Sequence, residues 1–249
     1  MSHTRGGPYG EVRVFEGPRE LAHAAAERFA GLAARAVEER GAFSVALAGG
    51  TTPRQVYELL AGSEFRDQIR WPDVHVFFGD ERAVPPDHAD SNYRMAHEAL
   101  LSHVPVPTEN VHRMRGEGDA GSNASLYEDE LRGFFGDAEW PRLDLVMLGM
   151  GDDGHTASLF PNTSAPEEQR AWAVANWVEK LDAWRVTLTV PAINGARCVL
   201  FTVTGAGKAE RLAEILKGER DPTRLPSQLI EPSDGKLEWF VDRAAAASL

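Results

Sequence analysis

One histidine of this chain stands in a sequence context that suits proton transfer. His155 follows the run Gly149-Met150-Gly151-Asp152-Asp153-Gly154, which places the Asp153 carboxylate two residues before it. A histidine near its ordinary pKa takes up and returns protons at neutral pH, and a hydrogen-bonding partner orients its ring. We therefore predict that His155 is a general base and that Asp153 or a backbone group orients its ring, unless Asp153 contacts the substrate instead. A structural histidine bonded to a backbone carbonyl is the alternative.

Other segments carry groups that bind anions. Gly49, Gly50 and Thr51 stand between an apolar run and a helical one, where backbone N–H groups, a hydroxyl and the helix dipole favour a phosphate. Lys208 follows two glycines before another helical segment, and Arg185 begins an alternating one. We predict that these residues bind phosphate. An ordinary capped turn and two solvated surface cations are the alternatives.

Charged residues also follow the apolar run at 74–78. Asp80 is counted among the catalytic residues because its carboxylate suits a substrate hydroxyl, and Arg82 suits an anion or a developing oxyanion. A purely structural salt-bridge cluster is the alternative. Asn92 and Arg94, further along the chain, are expected to cap and brace a helix, and contact with the substrate is the alternative.

The glycine-rich run at 149–154 also matches the G-x-G-x-x-G pattern of dinucleotide sites, but its chemistry does not suit a pyrophosphate. Asp152 and Asp153 would direct negative charge at the phosphates, and no acidic residue ends an obvious next strand about twenty positions later. The sequence has no H-E-x-x-H pair, no cysteine cluster and no G-x-S-x-G elbow. We therefore expect no cofactor and no required metal.

Short apolar runs alternate with helical segments along the chain. Strands are predicted at 11–15, 43–48, 74–78, 145–148, 172–178, 185–190, 198–203 and 237–241. Thr52 is the predicted N-cap of the second helix. Helices are predicted over 18–40, 53–60 and 120–135 and in segments ending at 101 and 217.

Four of these strands end in glycine-containing polar loops that lead toward a helix. Strands that alternate with helices indicate a parallel sheet, and right-handed crossovers bring the loops to one edge of it. We predict an α/β fold with a mainly parallel sheet flanked by helices and a few antiparallel edge strands. No linker or repeat interrupts the pattern, so residues 1–249 are expected to form a single domain.

Charge and composition narrow the possible partners. The 249 residues carry a formal net charge of −12, whereas nucleic acids and anionic membranes require basic surface. The single cysteine, Cys198, excludes an internal disulfide and is expected to be buried in its apolar run. The chain shows neither a long apolar segment nor an apolar signal core. We expect a cytoplasmic protein that is a monomer, or at most a weak homo-oligomer.

Taken together, the loop motifs resemble those of the 6-phosphogluconolactonase family, within the wider glucosamine-6-phosphate isomerase/6-phosphogluconolactonase superfamily. The resemblance spans about residues 11–241, in the expected order, through the segments AGGTTP (48–53), GDER (79–82), SNYR (91–94), GMGDDGHTASLFP (149–161), RVTLT (185–189) and TGAGK (204–208). It implies a Rossmann-like fold and hydrolysis of 6-phospho-D-glucono-1,5-lactone, the second step of the oxidative pentose phosphate pathway. It also implies a site composed of the base His155, the phosphate contacts Gly50, Thr51, Arg185 and Lys208, and the substrate-site charges Asp80 and Arg82.

One position distinguishes the two branches of that superfamily. The isomerase/deaminase branch carries a glutamate five residues after the histidine, whereas this chain has Phe160, which cannot shuttle a proton. The lactonase branch is therefore favoured, with His155 taking a proton from the water that attacks lactone C1. A sugar-phosphate sensor without catalysis and a metal-assisted hydrolase using Asp152, Asp153 and His155 are the alternatives.

Overall fold

The computed structural model describes residues 3–7 and 9–249. Within these residues the strands form two separate sheets, a larger one and a smaller one. In chain order the strands are β1 (His3–Gly7), β2 (Gly10–Phe15), β3 (Phe43–Leu47), β4 (Val74–Phe78), β5 (Asp80–Arg82), β6 (Leu145–Leu148), β7 (Ala173–Val178), β8 (Ala183–Leu188), β9 (Cys198–Val203) and β10 (Lys236–Asp242).

The larger sheet has the strand order β1-β2-β10-β9-β6-β3-β4. Its neighbouring strands pair in parallel, except that β1 pairs antiparallel with β2 at one edge. Strands β3, β6 and β9 are buried at every position, which is why they read as short continuous apolar runs. Cys198, the first residue of β9, is 1% exposed, as predicted. The prediction of a mainly parallel sheet is confirmed.

Helices connect the parallel strands. They are α1 (Pro18–Arg40), α2 (Thr51–Ala61), α3 (Ser63–Arg66), α4 (Asn92–Ala96), α5 (Ala120–Phe135), α6 (Val190–Asn194) and α7 (Ala209–Lys217). Helix α1 begins at a proline, which is pre-set for a first turn, and stops at Gly41, whose left-handed φ of 81° lets its N–H close on Val37 O. Helix α4 continues as a π-helical turn over His97–Leu101. Across the part of the chain that is described, no helix is long and apolar enough to cross a membrane.

The path of the chain creates a switch point between β3 and β6. From β3 the chain proceeds to β4 on one side, whereas from β6 it proceeds to β9 on the other. Ligands of open α/β sheets bind outside the carboxyl ends of the strands at such a point. The loops predicted to carry the chemistry follow β3, β4, β6 and β9, so the topology brings them to this crevice.

The smaller sheet has the order β5-β8-β7 and is antiparallel. It corrects two details of the prediction. The charged segment Asp80–Arg82 is a strand rather than a loop, and the predicted antiparallel edge strands after residue 172 form a layer of their own. Gly79 joins the layers, because its N–H donates to Leu47 O of β3 and its carbonyl accepts from the N–H of Leu188 in β8, both at 2.9 Å.

Candidate active site

A cavity of about 410 Å³ lies at the switch point. It is lined by the loops after β3, β6 and β9, by Asp80 and Arg82 of β5, and by β8 and the β7–β8 turn. The predicted convergence of these loops is therefore observed. The residues proposed from sequence that line the cavity are Gly49, Gly50, Thr51, Asp80, Arg82, His155, Arg185 and Lys208.

The loop after β6 brings the His155 ring against the Asp153 carboxylate. Asp153 Oδ1 lies 2.5 Å from His155 Nδ1 and accepts the backbone N–H of the same histidine at 3.1 Å. A carboxylate only accepts hydrogen bonds, so in the neutral ring the proton is on Nδ1 and the basic lone pair is on Nε2. Asp153 is not among the residues that line the cavity, but it contacts His155, which does line it.

Glycine is required twice in this loop. A Cβ built on Gly151 would lie 2.1 Å from His155 Nδ1 and 2.9 Å from Asp153 Oδ1, so a side chain at position 151 would displace the pair. Gly154 has a φ of 84°, and a Cβ there would lie 2.7 Å from Leu225 Cδ2. The histidine and aspartate side chains therefore fill the space that a side chain at position 151 would need, and Leu225 fills the space at position 154.

Two side chains cover the histidine–aspartate pair. The Phe160 ring stacks on the His155 ring with centroids 3.9 Å apart and an interplanar angle of 27°. The Lys180 ammonium forms an ion pair with Asp153 Oδ2 and lies 4.8 Å from the Phe160 centroid. This cover leaves the His155 side chain 26% exposed.

The environment favours a neutral imidazole. Burial lowers the pKa of His155 from its ordinary value of 6.5 to about 4. The cations Lys208 and Arg185 lower the pKa of this ring further, whereas the Asp80 carboxylate raises it. At pH 7 the ring is therefore unprotonated and able to accept a proton.

Asp80 is buried, and both of its carboxylate oxygens already have partners. Ser158 Oγ donates to Oδ2 at 2.6 Å, and Asn92 Nδ2 donates to Oδ1 at 3.1 Å and to the Asp80 carbonyl at 2.9 Å. The same Asn92 side chain fills the space against Gly49 that a Cβ would need. Asn92 therefore ties the loop after β3 to Asp80. This role differs from the helix-capping role expected for it.

The helix cap that was expected at Asn92 is made by neighbouring residues instead. Ser91 Oγ accepts the N–H of Arg94 at 3.1 Å, and Arg94 braces the helix through an exposed ion pair with Glu98 at 2.7 Å. Glu81, 2% exposed, accepts the N–H groups of Asn92 and Tyr93 at 2.7 and 2.8 Å. Glu81 thus anchors this helix by accepting its backbone N–H groups, and not by forming a salt bridge.

The residues predicted to bind phosphate also line the cavity. Helix α2 begins at Thr51 after Gly50, whose φ is 104°. The predicted N-cap, Thr52, is wrong, because its hydroxyl lies 2.8 Å from Thr204 Oγ1 and joins the loops after β3 and β9. Thr51 and Thr52, the first residues of α2, line the cavity, and the first N–H groups of an α-helix have no partner within the helix.

Three cationic side chains, Arg82, Arg185 and Lys208, line the cavity. Arg82 of β5 stands directly opposite Arg185 of β8 in the antiparallel register. Like charges in opposite register repel, and burial together with Arg82 lowers the pKa of Arg185. Lys208 approaches from the loop after β9 and is bound to the exposed Asp152 carboxylate. Such a group of cations suits a multiply charged anion.

The structure adds two residues that local sequence patterns did not reveal and gives Asn92 a different role. Lys180 lies in a polar hairpin turn, where a lysine is ordinarily solvated, and Ser158 contacts Asp80 from 78 residues along the chain. Asn92 contacts Asp80 across 12 residues. No group of His, Cys, Asp or Glu side chains suitable for a metal ion occurs among residues 3–7 and 9–249.

Comparisons with known proteins identify the family to which this chain belongs. The model of the family described as glucosamine-6-phosphate isomerases/6-phosphogluconolactonase matches residues 16–239. Proteins named 6-phosphogluconolactonase from Synechocystis sp. and Nostoc sp. are 45% and 44% identical, each over 86% of this chain and 88% of their own length. The structure of 6-phosphogluconolactonase from Trypanosoma cruzi superposes with a TM-score of 0.85 at 29% identity, covering 99% of both chains. This chain therefore belongs to the glucosamine-6-phosphate isomerase/6-phosphogluconolactonase family.

Proposed function

We propose that this protein hydrolyses 6-phospho-D-glucono-1,5-lactone to 6-phospho-D-gluconate, the second step of the oxidative pentose phosphate pathway. The observation that carries the proposal is the arrangement inside one cavity. A neutral histidine contacted by a carboxylate lines the same cavity as the N-terminus of helix α2 and the cations Arg185 and Lys208. The names of the 44–45% identical relatives support the same substrate.

In the proposed reaction, His155 Nε2 takes a proton from a water molecule as the water oxygen attacks lactone C1. The tetrahedral intermediate then collapses, the bond from C1 to the ring oxygen breaks, and the imidazolium returns its proton to that oxygen. The product carboxylic acid ionises in solution. A positioned base contributes about 10²–10⁴-fold to such a reaction.

Asp153 holds the proton on Nδ1 and stabilises the imidazolium that forms during attack. Asp80 adds negative charge near the ring, which also favours the imidazolium. Arg82 is proposed to stabilise the oxyanion on C1, since preorganised cations at a developing charge lower the barrier. For Asp80 we propose this electrostatic role and a position near the substrate hydroxyls.

The phosphate group is proposed to bind among Gly49, Gly50, Thr51, Arg185 and Lys208. Binding there would offset the two cations that lower the pKa of His155, so the ring would become a stronger base once substrate is in place. Phosphate binding remote from C1 also orients the lactone for attack, which is how small-substrate enzymes use distal binding energy.

The proposal also covers the setting in which the protein works. We propose a single domain that acts as a cytoplasmic monomer and needs neither cofactor nor metal. Equilibrium sedimentation at several protein concentrations tests the monomer. A dimer that persists on dilution would contradict it.

The direct test is the hydrolysis of freshly generated lactone, corrected for spontaneous opening, with and without a chelator. Glucosamine 6-phosphate is assayed in parallel, with ammonia as the readout. Rapid, chelator-resistant loss of lactone without ammonia is expected, and His155→Ala should abolish it while leaving the protein folded. Ammonia release would instead indicate the isomerase/deaminase reaction, and substrate binding without turnover would indicate a sensor.

A further inference from the structure

The β7–β8 turn contributes a cation to the centre of the site. Lys180 lies in the 3₁₀ turn Glu179–Leu181, which ends at Asp182 in a left-handed conformation with φ 46°. The turn lines the cavity through Lys180 and Leu181. From this position the Lys180 ammonium reaches Asp153 on the loop after β6.

Asp153 is thereby held at both carboxylate oxygens. Oδ1 accepts the His155 ring and backbone N–H groups, whereas Oδ2 accepts no hydrogen bond from the described residues and instead forms an ion pair with the Lys180 ammonium. The terminal torsion of an aspartate is broad, so a single contact leaves the carboxylate plane loosely defined. A second contact, on the other oxygen, fixes that plane and with it the direction in which Nδ1 is held.

A different lysine binds each of the two adjacent aspartates. Lys208, from the larger sheet, pairs with Asp152, whereas Lys180, from the smaller sheet, pairs with Asp153. Both lysines line the cavity, and Lys180 is the one paired with the aspartate that contacts His155. The Lys180 side chain is 51% exposed, so its pairing is not a consequence of burial in the core.

We propose that Lys180 is a positioning residue for the base: it binds Asp153 Oδ2 and so fixes the carboxylate that orients His155. Its action passes through Asp153 and does not require contact with the reacting atoms. The inference rests on the proposed role of His155 as the base. The proposal also gives the smaller sheet a role, because the turn between β7 and β8 must hold its position if Asp153 and His155 are to stay ordered.

Lys180 also moderates the charge on Asp153. A cation bound to the carboxylate weakens the support that Asp153 gives to an imidazolium, which favours return of the proton to the leaving oxygen. Removing the Lys180 charge should therefore raise the pKa of His155. The other charged groups that face this ring are Asp80, Asp152, Asp153, Arg185 and Lys208.

The test compares Lys180→Met and Lys180→Gln, which remove the charge, with Lys180→Arg, which keeps it. Lys217→Met is the matched control, because Lys217 is an exposed lysine at the end of α7. We expect kcat on the lactone to fall about 10- to 100-fold in the neutral variants with KM changed less than about threefold. Lys180→Arg should recover most of kcat, and Lys217→Met should match the wild type.

A second readout needs no turnover. The His155 Cε1–H resonance is followed by NMR against pH, assigned with His155→Asn, in the wild type and in Lys180→Met. A raised His155 pKa in the variant supports the proposal, and an unchanged pKa overturns it. Neutral variants with wild-type kcat, or with a raised KM and unchanged kcat, also overturn it. Wild-type protein that does not hydrolyse lactone would instead refute the proposed function, and the titration would still decide the role of Lys180.

Discussion

The close approach of Gly151 to the histidine–aspartate pair leads to a quantitative prediction. In Gly151→Ala, the new Cβ would lie 2.1 Å from His155 Nδ1, whereas non-bonded carbon contacts are about 3.5–4.0 Å. The ring must therefore retreat by roughly 1.4 Å. It cannot move freely, because Phe160 stacks on one face at 3.9 Å between centroids.

A displacement of about 1 Å at a reacting group costs on the order of 10²-fold in rate. We therefore expect kcat to fall about 10²-fold, equivalent to about 2.7 kcal/mol of transition-state stabilisation. KM should change little, since the anion-binding groups lie elsewhere in the cavity. The backbone at Gly151 does not have a positive φ, so alanine is compatible with the fold there.

The assay is steady-state hydrolysis of fresh lactone, with the melting temperature of each variant as the check on folding. Gly133→Ala is the control, because a Cβ at this exposed position in α5 meets nothing within 4 Å. The control should match the wild type in kcat. A folded Gly151→Ala variant with kcat within twofold of the wild type would falsify the assignment of His155 as the oriented base.

Further predictions concern the same site. Asp153→Asn should lower kcat by about 10²–10⁴-fold at nearly constant KM, because an amide can donate to Nδ1 and favour the wrong tautomer; a change confined to KM would contradict this. The pH profile of kcat/KM should keep its plateau well below pH 6 and lose activity as pH falls through about 4, where His155 becomes protonated; an acid limb near 6.5 would show that burial does not lower this pKa. Lys208→Met should raise KM for the phosphorylated lactone about 10- to 100-fold and leave hydrolysis of unphosphorylated gluconolactone unchanged, since only the phosphate requires the cation. Asn92→Ala should destabilise the protein by about 1–3 kcal/mol, measured by urea unfolding, because the buried Asp80 loses a hydrogen-bond donor; a stability equal to the wild type would show that water replaces the amide.

The larger sheet could be predicted from sequence because its strands are short runs whose every residue is buried. Strands β4, β6 and β9 begin and end at the predicted residues, as do helices α1 and α5. Proline at the start of α1 and glycine after its end are local signals that need no tertiary contact. The strand β5 was not predicted, because three consecutive charged residues carry no strand signal of their own. They form a strand here because they pair with β8.

The pairing of His155 with Asp153 could also be anticipated, because the two residues belong to one short loop and only Gly154 separates them. The N-cap of α2 could not. Thr52 is a good capping residue by type, but Thr204 from a distant loop takes its hydroxyl, and Gly50 occupies the cap position instead. A local preference is overridden here by a contact across 152 residues of chain.

The sequence by itself determined the α/β alternation, the loops that line the cavity and the order of those loops, because each depends on residues that are close together in the chain. Only the tertiary structure decided how the groups act on one another. It placed Lys180 of the smaller sheet on Asp153, gave both oxygens of Asp80 to Asn92 and Ser158, and set Arg82 opposite Arg185. These contacts join segments far apart in sequence, and their strength depends on distance and burial, which no local pattern encodes.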